Sequence, residues 1–141
     1  MRPYRGIPIN GKDFLYGWYA EVENKHFIVQ SDAALLRRTI SDFGTIFGDV
    51  ITNFVEVIPE TVGQDTGLKD KNGTDAYFGD LEKFKKIQGI WEIRWDSIRC
   101  RGFLYRLDKD GTSHYLSAEL IKAGKIIGNI HQNPDLLENS K

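Results

Sequence analysis

"TGLKDKNGTDAYFGDLEKF", Thr66 to Phe84, is the stretch on which the reading of this chain turns. It places Gly67, Gly73 and Gly79 among a dense mixture of acids and lysines, between two apolar runs. Asn72 and Gly73 can both accept positive φ, so together they predict a tight hairpin turn of the primed type. The surrounding charges then solvate the turn, and Gly79 allows a bend or bulge before the next strand. On this reading Asn72, Gly73 and Gly79 are structural turn residues.

The chemical alternatives for the stretch fail on spacing. With Gly73 as the sixth residue of a calcium loop, Leu68 falls in the first ligand place and Gly79 in the twelfth, and neither offers a side-chain oxygen. "DKDG" fails in the same way, with Arg106 first and Ser117 twelfth. A phosphate cradle needs closely spaced glycines, a closing Gly-Lys-Ser/Thr and a helix. Here the glycines are spread and a strand is predicted to follow.

Working outward, the 141 residues fit one ordinary domain, expected as a single unit with N-terminal strands and a helix over 1–60 and a small barrel over 61–141. The composition is 40% hydrophobic and 12% aromatic, enough for a real core and tilted toward strands. "DFLYGWYAEVENKHFIVQ" reads as two strands around a turn at Glu23-Asn24-Lys25. "SDAALLRRTISDFG" reads as a helix, capped by Ser31 or Asp32 and ended by Gly44. Phe54 to Ile58 reads as extended, since Pro59 disfavours helix at Ile58. From Leu81 to Asn133 the strand signal is nearly continuous. Trp91, Ile93 and Trp95 alternate with Glu92, Arg94 and Asp96, a pattern for one buried face. "DKDG" predicts a hairpin turn, and Pro134 begins a short helical turn. The fold expected is mainly β (β-rich α+β).

The stretch from Thr61 to Phe84 resembles the signature of the YopX family of phage and prophage proteins. Gln64, Thr66 to Gly73, Tyr77, Gly79 and Asp80 match it. Asp65 stands where an aromatic is usual, and Phe78 where Glu is usual. "YGWY" (Tyr16–Tyr19) and "IGNIHQNPDLL" (Ile127–Leu137) extend the likeness over most of the chain, and it is weakest over Ser31–Asn53. The resemblance implies a phage-borne protein with a small barrel of the Src-homology-3 type in its C-terminal half. It carries over no activity, cofactor or catalytic residue.

Net charge is −1 and the pI near 6.3, so no global basic field draws the chain to nucleic acid or an anionic membrane. The single cysteine, Cys100, fits a reducing compartment and reads as an ordinary strand residue despite its flanking arginines. The polar N-terminus is no signal peptide, and no apolar run approaches the roughly 20 residues that span a bilayer. A cytoplasmic location in a bacterial host cell is expected. His26, His114 and His131 lack zinc spacing. "DFG" at Asp42–Gly44 stands without the rest of the kinase signature set. Asp108 and Asp110 sit in a turn. No catalytic residue, metal site, cofactor or small-molecule substrate is expected.

The remaining pattern is basic. Lys83, Lys85, Lys86, Arg94, Arg99, Arg101 and Arg106 fall on consecutive expected strands, interleaved with Phe84, Trp91, Trp95, Phe103 and Tyr105. On a small barrel, a positive groove with stacking aromatics holds single-stranded nucleic acid. Against this, Trp91 and Trp95 share parity with Ile93 and point to the core, while Glu92 and Asp96 dilute the charge. The function expected is a non-enzymatic interaction module that self-associates or binds a host or phage protein. The alternative is a nucleic-acid-binding barrel in phage DNA metabolism or regulation.

Overall fold

The computed structural model describes residues 3–30, 54–107 and 112–139. The helix expected at Ser31–Gly44 and the Asp108–Gly111 turn lie outside these residues. The chain is mainly β and divides into two compact units, Pro3–Gly63 and the residues from Gln64 onward.

The first unit holds β1 (Tyr4–Gly6), β2 (Leu15–Val22), β3 (Lys25–Val29) and β4 (Phe54–Val57). Each strand pairs antiparallel with the next in the chain. The β2–β3 connection is the two-residue turn Glu23-Asn24, with φ of 51° and 66°. This primed geometry matches the right-handed twist of the flanking strands. Ile7, Ile28, Val29 and Val57 form the buried core. Gly17 lies so close to β3 that a Cβ there would stand 2.4 Å from the Val29 carbonyl oxygen, which excludes any larger residue without a backbone shift. Thr61, in the 3-10 turn Pro59–Thr61, accepts the Ile7 amide at 2.9 Å and donates to the Ile58 carbonyl at 2.6 Å.

In the second unit, β5 (Gly63–Lys69) and β6 (Asp75–Tyr77) form a hairpin. A five-stranded antiparallel sheet follows, in the order β10 (Ser113–Tyr115), β9 (Arg101–Arg106), β8 (Ile90–Asp96), β7 (Asp80–Phe84), β11 (Gly124–Asn129). Register places Glu82, Trp91, Ile93, Leu104 and Ile126 on one face. Trp91, Ile93 and Leu104 join Ala76 and Ile121 in the core, so this is the inner face.

Helix α1 (Ala118–Ala123) interrupts what the sequence reads as strand. The Ser117 hydroxyl accepts the Leu120 amide at 3.1 Å, Glu119 lies in the first turn and Lys122 in the last. Local capping and good helix formers override the apolar pattern here. Helix α2 (Pro134–Asn139) starts at its proline as expected.

The one-face-buried pattern of β8 is only partly present. Trp91 and Ile93 are buried, but Trp95 is 54% exposed. Its cross-strand partner is Gly102, which has no side chain to cover it, and an edge contact with Phe78 is its described ring partner. Glu92, on the expected wet face, is buried and accepts Arg94 Nη2 at 2.9 Å.

Candidate functional site

The Thr66–Phe84 stretch is a folding device, but not through the turn expected. Gly73 has φ of 79°, whereas Asn72 is not among the residues with positive φ. Asp70 organises the loop instead. Its amide donates to the Thr74 carbonyl, its carbonyl accepts the Gly73 amide, and its Oδ1 accepts the amides of Asn72 and Thr74, both at 2.9 Å. This is a three-residue connection closed by a glycine in the left-handed region. Gly73 meets nothing within 4 Å, so it is required for its φ alone.

Nor do all the charges merely solvate the turn. Asp70 is 3% exposed, and its Oδ2 accepts the Ile126 amide of β11 at 2.9 Å. Lys71 adds a second tie, its amide donating to the Gly124 carbonyl. The loop therefore latches onto the edge strand of the sheet, which would otherwise present unpaired backbone groups. Burial pushes the Asp70 carboxyl up, but the amides of Ile126, Thr74 and Asn72 and the nearby Lys125 reverse this and hold it below its ordinary value. Gly79, with φ of 100°, makes the expected bend, donating to the Ile93 carbonyl and accepting the Ile130 amide. Asp80 accepts the Tyr77 amide at 2.8 Å. Asn129 closes the next turn by accepting the amides of His131 and Gln132.

Glu82 is the residue that the sequence reading missed. It is fully buried on the inner face, opposite Trp91 on one side and Ile126 on the other, and neither carboxyl oxygen has a hydrogen-bond partner. Burial, followed by the charges of Asp70 and Asp80, pushes its pKa up to about 8. Its alternation with Phe84 along β7 was the one signal in the sequence; its place opposite Trp91 depends on the register. Among the described residues, no group of three or more His, Cys, Asp and Glu is arranged to hold a metal ion.

The seven candidate basic residues separate. Lys83, Arg94 and Arg101 share the outer face of the sheet, and register adds Lys125 opposite Lys83. Phe103, Tyr105 and Tyr115 lie on the same face. The Arg94 guanidinium stacks 4.1 Å from the Tyr105 ring centroid and that of Arg101 3.4 Å from Tyr115. Arg106 sits opposite buried Trp91, on the inner side. Lys85 and Lys86 are in the β7–β8 loop and Arg99 in the β8–β9 turn, off the strands on which the sequence placed them. Of the aromatics, Phe84, Trp91 and Trp95 belong to the inner side and only Phe103 and Tyr105 to the outer.

A different constellation lies at the β8–β9 end of the sheet. Asp96 builds the turn, its Oδ1 accepting the amides of Ile98 (3.0 Å) and Arg99 (3.2 Å) and its Oδ2 pairing with Arg99 Nη1 at 3.0 Å. The side-chain and backbone hydrogen bonds from Arg99 hold the Asp96 carboxyl below its ordinary value. Cys100 closes the turn with φ of 51°, so it is a strained turn residue and not the strand cysteine expected. Its thiol is exposed. Ile98 is 90% exposed at the tip, and Trp95 and Tyr115 are half exposed at the same end. Asp96, Arg99, Phe103, Ser113 and Tyr115 line an adjoining recess of about 320 Å³.

The second unit thus combines a five-stranded sheet, a hairpin latched to its edge and an exposed aromatic and arginine end. The family model described as YopX protein matches residues 17–138, and the chain belongs to this family. No curated protein matches the chain. Asp70, Gly79, Asp80 and Asn129, which lie in the stretches that resemble the family signature, hold loops to strands. No helix among the described residues is long and apolar enough to cross a membrane.

Proposed function

We propose that the chain is a phage or prophage accessory protein of the bacterial cytoplasm that acts without catalysis, as a protein-interaction module working through the β8–β9 end of its C-terminal sheet. One observation carries this reading: Ile98 is exposed at the tip of a turn that Asp96 makes rigid, with Arg99 in that turn and Tyr115, stacked against Arg101, half exposed on the outer face beside it. Aromatic and arginine side chains dominate binding energy at protein interfaces, and a preformed turn lowers the entropy lost on docking. A leucine or isoleucine at 90% exposure is a cost in solution that burial against a partner removes. The antiparallel β10-β9-β8-β7-β11 sheet supports assigning this unit to the small barrels of the Src-homology-3 type.

The test is capture of partners by tagged protein, with and without nuclease, beside the variants Ile98→Asp and Tyr115→Ser. Both side chains are exposed, so the fold is kept. The expected result is a discrete protein that survives nuclease and is depleted at least about tenfold by either change. Equal capture by wild type and variants removes the assignment, and light scattering shows whether the partner is a second copy.

A second reading rests on Lys83, Arg94, Arg101 and Lys125 sharing the outer face with Phe103, Tyr105 and Tyr115. This arrangement suits single-stranded nucleic acid. It is weakened by the ion pair that ties Arg94 to Glu92. Oligonucleotide binding that falls steeply with salt, and that Lys83→Glu with Lys125→Glu abolishes, would favour it over the protein partner.

A further inference from the structure

A second concavity in the C-terminal unit lies at the opposite end of β8 from the β8–β9 turn. It runs between the β7–β8 loop and α1, encloses about 580 Å³, and is lined by Phe84, Ile87, Leu120 and Ala123 with Lys85, Lys86, Ser117 and Glu119. Phe84, Ile87 and Leu120 pack against the inner core while remaining partly exposed, so the floor is apolar and fixed from beneath. Gly124 reinforces this: a Cβ there would come within 2.6 Å of the Phe84 ring, so the ring is wedged against the start of β11. The Ser117 hydroxyl caps α1 by accepting the Leu120 amide.

The lip is asymmetric in charge. Lys85 and Lys86 are exposed on one wall, and neither is in an ion pair among the described residues. Lys122 is exposed on the same short helix that supplies the other wall, where Glu119 is the one acid lining the groove. A concavity of about 580 Å³ takes a bulky apolar side chain together with its neighbouring residues, and an excess of lysines on the rim favours carboxylates beside it.

We infer that this groove docks a segment of a partner polypeptide in which one large apolar residue is flanked by Asp or Glu. The apolar side chain fills the space over Phe84, Ile87 and Leu120, and the flanking carboxylates meet Lys85 and Lys86. The site is separate from the β8–β9 end, so it stands or falls independently of the function proposed above. It gives the module a second point of attachment, and two weak contacts on one partner bind more tightly than either alone.

The experiment uses the full chain and fluorescein-labelled peptides, read by anisotropy at low and at physiological salt. The probes are Asp-Asp-Phe-Asp-Asp, the same peptide with Gly for Phe, and Lys-Lys-Phe-Lys-Lys. The acidic phenylalanine peptide should bind, and both the glycine substitution and raised salt should weaken it at least about tenfold. Lys85→Glu with Lys86→Glu should lose the acidic peptide and gain the lysine-flanked one. Both positions are exposed, and an unchanged thermal melt shows that the variant is folded. Leu120→Lys should abolish binding of the acidic phenylalanine peptide. The inference is overturned if the acidic peptide fails to bind wild type at low salt, or if charge reversal leaves the preference unchanged. It also falls if the glycine peptide binds equally well. If decanoate displaces the peptide at equal or lower concentration, the groove belongs to a small amphiphile and the polypeptide assignment is wrong. If the chain self-associates and charge reversal dissolves the assembly, the occupant is a second copy and the assignment is likewise wrong.

Discussion

Asp70→Ala is expected to lower the unfolding free energy by about 3 kcal/mol, since hydrogen bonds to a charged acceptor contribute about 1.5–3 kcal/mol each and part of the loop can turn to water. Three amides lose their acceptor at once. Those of Asn72 and Thr74 lie in the loop and can be hydrated, while that of Ile126 lies in the sheet and cannot easily be. The edge strand β11 is then released from the hairpin loop, so amide exchange should accelerate at Ile126 before it does at buried Ile93. Asp70→Asn should recover about half of the loss, because one oxygen remains to accept and the charge is gone. Denaturant unfolding followed by tryptophan fluorescence measures both. An Asp70→Ala protein as stable as wild type would show that the latch contributes nothing. Because the Asp70 carboxyl is held below its ordinary value, its contribution is present at neutral pH and is lost as the pH falls through that depressed pKa.

Glu82 predicts the opposite limb of the pH profile. The folded state keeps its proton up to about pH 8, whereas the unfolded chain releases it near 4.5. Between these values the folded state binds more protons than the unfolded, so stability falls as the pH rises, by at most about 1.4 kcal/mol per pH unit. Above about pH 8 the loss levels off, with an unpaired carboxylate forced into the inner face beside Trp91 and Ile126. Glu82→Gln keeps the shape and removes the charge. It should match wild type near pH 5 and exceed it by about 3 kcal/mol at pH 9, since one pKa unit corresponds to about 1.4 kcal/mol and the buried amide returns part of the gain. Stability measured across pH 4–10 decides this. A wild-type profile flat between pH 5 and 8, or a glutamine variant that tracks wild type at every pH, would contradict it.

How far the fold was legible follows from where the information lies. Glu23-Asn24 and Pro134 act through their own backbone preferences, so the β2–β3 turn and the start of α2 could be read locally. The mainly β character followed from alternation and aromatic content. The Asp70 loop was placed correctly and explained wrongly. Asn72-Gly73 is a strong primed-turn pair, but a side chain two residues earlier captured the loop amides, and its long-range partner Ile126 lies 56 residues away. Helix α1 was hidden because Leu120 and Ile121 continue an apolar run, and only the Ser117 cap distinguishes it. The basic residues illustrate the cost of reading strands without register. Arg106 and Arg101 are both on β9, yet they fall on opposite faces, and Lys125 enters the outer face only because β11 pairs with β7. The β8–β9 end could not be read from parity at all. Trp95 has the parity of a core residue, yet it lies near the end of β8 and is 54% exposed.

The fold is held by side chains far from the β8–β9 turn in the sequence. Asp70, Gly79, Asp80 and Asn129 hold loops to strands. The surface at the β8–β9 turn is built on that frame and is where the account places binding. The chain's single cysteine, Cys100, is exposed within that turn and permits the most direct test. Cys100 is coupled to a benzophenone maleimide, the labelled protein is irradiated in a lysate of the bacterial host proposed above, and adducts are resolved by mass. A control carries Cys100→Ser and Glu60→Cys, which places the same label on an exposed position of the first unit. A binding surface at the β8–β9 turn yields a discrete protein adduct from Cys100 that is absent from the control and lost with Ile98→Asp. No adduct, or the same adducts from both positions, would contradict it.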